Sequence, residues 1–114
     1  MPIAGEWFTP TGLSFNSIEV RPETTWEHFA VSDSNGIVGQ GEITHTQLDQ
    51  RIAPIVARLA NNLRGEKLTD DSDVIKLNNL TIEQLESDVA LASAVSGLRC
   101  AIADALARVL QLSM

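Results

Sequence analysis

The sequence predicts an α+β domain: a three-stranded antiparallel meander followed by a helical layer. Three observations carry that expectation. Between residues 13 and 43, apolar residues alternate with period two and a strong turn signal interrupts them. From residue 47 the apolar spacing changes to the 3.6-residue period of helices. Capping boxes and a stop glycine punctuate the second half.

Residues 1–12 hold Pro2, Gly5, Pro10 and Gly12 and read as a loose lead-in to a domain spanning 13–114. Trp7-Phe8 within it is expected to cover a nearby surface; the other reading is a lid over a pocket. The first strand is expected over Phe15 to Val20, with Ile18 and Val20 two apart. In the second, Trp26 to Ser32, Glu27, Phe29 and Val31 take one side and Trp26, His28 and Ala30 the other. Asp33-Ser34-Asn35-Gly36 is a turn, because Asn and Gly tolerate positive φ. The third strand, Ile37 to Ile43, carries Gly39 and Gly41 in one alternation set. Two missing side chains let another backbone approach closely.

A helix is predicted over 47–64 from the stripe Leu48, Ile52, Ile55, Val56, Leu59 and Leu63. Thr46 with Asp49 resembles a capping box, Gly65 is the stop, and Pro54 is expected to kink the helix or loosen one turn. Residues 66–80 are acidic and polar. Asp70-Asp71-Ser72-Asp73 resembles a Ca²⁺ loop, but an EF-hand needs Gly at its sixth position, which is absent counting from Asp71 or from Asp73. The segment therefore reads as a solvated, helix-capping loop. Thr81 with Gln84 starts a second helix, whose apolar positions are Ile82, Leu85 and Val89. A third helix, around 93–110, has Val95, Leu98, Ile102, Ala105, Leu106 and Val109 on one stripe. Ala101, Ala103, Ala105 and Ala107 surround it with small residues, which predicts packing on more than one face and a further partner outside.

The length of 114 residues suits one domain, which buries roughly 60–70% of its unfolded surface. Apolar residues make up 44% and charged residues 20%, a globular balance. Fifteen acids against eight bases give a net charge of −7, which argues against nucleic acid and against an anionic membrane surface. Cys100 is the single cysteine, so no internal disulfide forms, and a cytoplasmic setting is expected. The first residues lack a signal peptide's pattern, and no stretch approaches the ~18 apolar residues of a membrane helix.

The chemistry-bearing residues do not converge. The histidines, His28 and His45, have no HxxxH or HExxH spacing. Cys100 falls between apolar helix positions and reads as a packed hydrophobe rather than a nucleophile. Gly39-Gln40-Gly41 sits in a strand, not at a strand–helix turn, and is no dinucleotide fingerprint. No pair of carboxylates is marked as an acid/base couple. The chain by itself is expected to have no catalytic residues, no metal site and no cofactor.

The order of parts nevertheless resembles one family. The meander closing on Gly39-Gln40-Gly41-Glu42, the helix ending Leu63-Arg64-Gly65 with Pro54 inside it, and the run from Ala94 to Arg108 are similar to the N-terminal capping domain of the enolase superfamily, in its mandelate racemase and muconate lactonizing branch. The resemblance covers about 13–114. Gln40 stands where relatives commonly have an aromatic residue, and Leu110-Gln111-Leu112 where they often show Leu-Gly-Leu. It implies a catalytic barrel, absent here, carrying a Lys base and three acidic ligands for Mg²⁺. The lysines of this chain, Lys67 and Lys76, lie in the acidic segment.

The resemblance further implies a parent lyase, racemase or cycloisomerase that abstracts a proton beside a carboxylate, with Mg²⁺ stabilising the enediolate. The cap's two specificity loops would be Arg21-Pro22-Glu23-Thr24-Thr25 and Thr44-His45-Thr46-Gln47. The implied partners are the barrel, in cis or in trans, and a small carboxylate substrate in the parent. The alternative is a stand-alone, non-catalytic interaction module. Self-association through the third helix is expected when the barrel is missing.

Overall fold

The computed structural model describes residues 7–21, 24–46 and 52–113. Strands β1 (Gly12–Arg21), β2 (Thr24–Ser32) and β3 (Val38–Thr46) form one antiparallel sheet in the order β1-β2-β3. Phe15 pairs with Phe29, and Phe29 with Gly41. Every strand is longer than the apolar alternation predicts. The extensions of β2 and β3 are rich in threonine, whose β-branched side chain suits a pleated strand without adding an apolar signal. At the β2–β3 turn the Asp33 carboxylate accepts hydrogen bonds from the amides of Asn35 (2.9 Å) and Ile37 (2.8 Å), and Gly36 takes φ +88°.

Helix α1 (Ile52–Leu63) buries Val56, Leu59 and Leu63, as its stripe predicts. Pro54 does not need to kink it. It is the third residue of the helix, in the first turn, where backbone amides have no intrahelical acceptor. Leu48 and Asp49, parts of the expected stripe and cap, lie outside the described residues. Gly65 ends the helix at φ +81°, and its amide donates to the Pro10 carbonyl at 3.0 Å.

Two expectations fail at the acidic segment and at the lead-in. Phe8 is fully buried and exchanges two backbone hydrogen bonds of 2.9 Å with Leu68, which is also fully buried. The described part of the lead-in is thus seated in the core rather than loose. Helix α2 (Asp73–Leu77) follows, with Val74 fully buried. Leu68 alone and the short Val74-Ile75 pair, set in a polar run, leave no periodicity to read, yet Leu68 and Val74 each fill a place in the core. The nearby carboxylates work locally. Asp73 accepts the amides of Thr69 (3.1 Å) and Asp70 (3.3 Å), and Asp71 pairs with Arg99 at 2.8 Å.

Helix α3 (Ile82–Ser87) has the predicted capping box: Gln84 N–H donates to the Thr81 hydroxyl, and Thr81 N–H donates to the Gln84 side chain. Its predicted apolar stripe is only partly inward. Leu85 packs on the core, but Ile82 is 70% exposed and Val89 79% exposed. At six residues the helix is too short for its period to fix which side faces inward.

Helix α4 (Val89–Ser113) is longer than expected at both ends. Its N-terminus is extended by Asp88, whose carboxylate accepts the Leu91 amide at 3.1 Å. Val95, Leu98, Ala101, Ile102 and Ala105 are buried against the sheet and α1. Over 89–111 α4 is long and apolar enough to cross a membrane, contrary to the composition-based expectation, although half of that stretch is buried inside the protein as a core helix. The predicted close approach is present. A Cβ on Gly39 would stand 2.9 Å from the Ala105 amide nitrogen, and one on Gly41 would stand 2.7 Å from the Gly97 carbonyl oxygen. The helix backbone therefore rests directly on β3.

Candidate functional site

The antiparallel register decides where the candidate specificity residues lie. Thr24 pairs with Thr46, Thr25 with His45, and Trp26 with Thr44. Arg21 pairs with Thr24, beside a register shift between Glu19 and Arg21. Two segments more than a dozen residues apart in sequence are thus brought to one end of the sheet, opposite the Asp33–Gly36 turn. Glu23 lies outside the described residues. The expectation that these positions are loop is corrected. Arg21 ends β1, Thr24 and Thr25 begin β2, and Thr44, His45 and Thr46 finish β3. Backbone pairing continues through them because polar β-branched residues satisfy a ladder as well as apolar ones do. Only residues 22 and 23 separate the first two strands.

Among the described residues, grooves flank the helices. One, of about 230 Å³, lies between Pro10–Leu13 and the α1 residues Ala57, Ala60, Asn61 and Arg64. Another, of about 420 Å³, runs along α4 past Val89, Ser93, Ser96 and Cys100, with Glu42 and Leu85 on its walls. Cys100 is exposed there, not packed as expected, in the groove that Glu42 of β3 also lines. His28 is half-buried and pairs with Glu42 across the sheet, remote in register from His45.

Electrostatics add little at these places. The hydrogen bond from the Ser72 hydroxyl holds the exposed Asp70 carboxyl below its ordinary value. Among the described residues, no group of three or more His, Cys, Asp or Glu side chains could hold a metal ion. Asp71 and Asp73 are engaged by Arg99 and by backbone amides. The described residues therefore do not fit Mg²⁺, and no chemical step can be derived through it here.

The family of the mandelate racemase / muconate lactonizing enzyme N-terminal domain matches residues 6–114. A mandelate racemase/muconate lactonizing enzyme structure from Bordetella bronchiseptica RB50 superposes with TM-score 0.64 at 26% identity, over 90% of this chain and 31% of its own. An enolase structure from Agrobacterium radiobacter, with Na and L-malate bound, gives TM-score 0.64 at 22% identity, over 91% of this chain and 27% of its own. This protein thus spans about a third or less of those two chains. The comparison with curated proteins gives no match. The predicted sheet-then-helices order, the glycine track on β3 and a family match over nearly the whole length agree: the chain belongs to the mandelate racemase / muconate lactonizing enzyme N-terminal domain family of the enolase superfamily.

Proposed function

We propose that this domain is the substrate-gating cap of an enolase-superfamily lyase, racemase or cycloisomerase that uses Mg²⁺ held elsewhere. The observation that carries the reading is the cross-strand pairing of Thr24 with Thr46 and Thr25 with His45. It gathers both candidate specificity segments at one end of a rigid sheet, where a barrel mouth would meet them. A cap of this kind does no bond-making. It excludes water and adds polar contacts to the part of the substrate distant from the reacting carbon. The small share of each solved relative that the chain spans supports a barrel supplied in cis or in trans. The substrate would be a small carboxylate.

The stand-alone interaction module is favoured by one observation, the exposed Val89 that lines the α4 groove. Two measurements test the cap. Calorimetric titration of the chain with Mg²⁺ should show only weak millimolar association; a stoichiometric micromolar site contradicts it. Sedimentation velocity at rising concentration and salt should show self-association through the uncovered apolar surface. A strict monomer with a high, concentration-independent Tm supports the stand-alone module.

A further inference from the structure

Helix α4 touches β3 through the smallest residues of both elements. Gly97, Ala101 and Ala105 recur every four residues, about 6 Å along a helix axis. Gly39 and Gly41 are two residues apart, about 6.7 Å along a strand. The two ladders have nearly the same pitch, so sliding α4 by one turn sets small residues against the glycines again.

In one direction most of the core exchanges beyond the first turn of α4 are conservative. Over positions 94–105, Leu91 would replace Val95, Leu98 would replace Ile102, Ala101 would replace Ala105, and Ser93 would replace Gly97. Ala94 in place of Leu98 is a large-to-small exchange, and before this stretch Glu86 and Ser87 would come to the places of buried Ala90 and Leu91. In the other direction Arg99 would enter the place of Val95, and Val109 would press on Gly39. The α3–α4 junction would have to re-form in the first of these slides, which keeps that seat a minority one.

What distinguishes the two seats is Asp104. Its Oδ2 accepts the backbone N–H of Gln40, between the two glycines, at 2.9 Å. Arg108 Nε donates to the same oxygen at 3.3 Å and steadies it. After a one-turn slide Cys100 would stand in this place, and a thiol is a weak acceptor. We propose that Asp104 is the register lock of this fold: its bond to the Gln40 amide selects the observed seat of α4 on β3 over the seat one turn away. One-turn ratchets of packed elements are a known form of discrete alternative packing.

The test is nuclear magnetic resonance on the 114-residue chain. In the wild type the Gln40 amide is protected from hydrogen exchange like a ladder amide, and relaxation dispersion is flat at Gly39, Gly41 and Gly97. In Asp104→Ala, Gln40 exchange quickens about tenfold or more, and microsecond–millisecond dispersion appears at those glycines. Asp104→Asn, whose neutral oxygen is a weaker acceptor, falls between and carries the test should the alanine variant not fold. Adding Ser93→Leu to either variant puts bulk where the displaced helix would meet Gly41, and so removes the dispersion while Gln40 stays fast. An unprotected Gln40 in the wild type overturns the proposal. So does fast Gln40 exchange with flat dispersion, or dispersion that survives Ser93→Leu.

Discussion

The two ends of the sheet's business are built in opposite ways. Where α4 crosses β3, position is set by atoms that leave no room: Gly39 and Gly41 against the backbone of Gly97, Ala101 and Ala105. Where β2 and β3 carry Thr24, Thr25, Thr44, His45 and Thr46, position is set by strand pairing, and the residues are polar. The first region resists almost any change of side chain. The second can change its side chains while its backbone stays in place.

The largest expected effect lies in the buried core behind the constrained side. Phe8→Ala removes a fully buried ring and should cost about 3–5 kcal/mol in urea denaturation. An effect below about 1 kcal/mol would mean that the N-terminal segment is not core. Gly41→Ala comes next. Its new Cβ would meet the Gly97 carbonyl at 2.7 Å and the Phe29 ring at 2.5 Å, so overpacking should cost about 1–3 kcal/mol. Alanine's lower unfolded-state entropy works the other way, by about 0.4–1 kcal/mol, and is outweighed. A stabilised Gly41→Ala would erase the contrast between the two regions.

These two residues also show how much the sequence discloses. Gly41 was legible, because two glycines in one alternation set signal a close approach whatever the partner. The Thr81–Gln84 capping box and the Asp33–Gly36 turn were legible for the same reason, since each motif satisfies its own backbone groups within a few residues. Phe8, Leu68 and Val74 were not. Leu68 stands alone among polar residues, Phe8 and Val74 stand in apolar pairs too short to show a period, and the seating of Phe8 and Leu68 depends on long-range pairing that no local period reveals. The ends of the strands were missed because Thr24–Thr25 and Thr44–Thr46 carry no apolar alternation. The pairing of Thr24 with Thr46 follows from the meander's register, so the candidate site was placed by resemblance and assembled only by the fold.

A smaller effect belongs to Asp70, on the exposed loop before α2. Its carboxyl titrates below its ordinary value because the ionised form accepts the Ser72 hydroxyl. The sign follows from linkage: the ionised form is the more favoured in the folded state, so this contribution is present above the unfolded value. It is lost as pH falls from there through the lowered folded value. Ser72→Ala should therefore raise the Asp70 midpoint toward its ordinary value in a carbon-detected titration and flatten the acid limb of stability slightly. An unmoved midpoint would assign the shift to another cause.

In the proposed function, the Thr24–His45 end governs what a parent enzyme accepts while the glycine track governs whether the cap folds. This division of roles is tested most directly by the kinetics of Thr24→Ala and His45→Ala in the full-length parent, over a panel of small carboxylates, with melting measured on the same samples. The account predicts a reordering of kcat/KM among substrates by about tenfold or more, with stability changed by no more than about 0.5 kcal/mol. Unchanged substrate order with lost stability in both variants would contradict it.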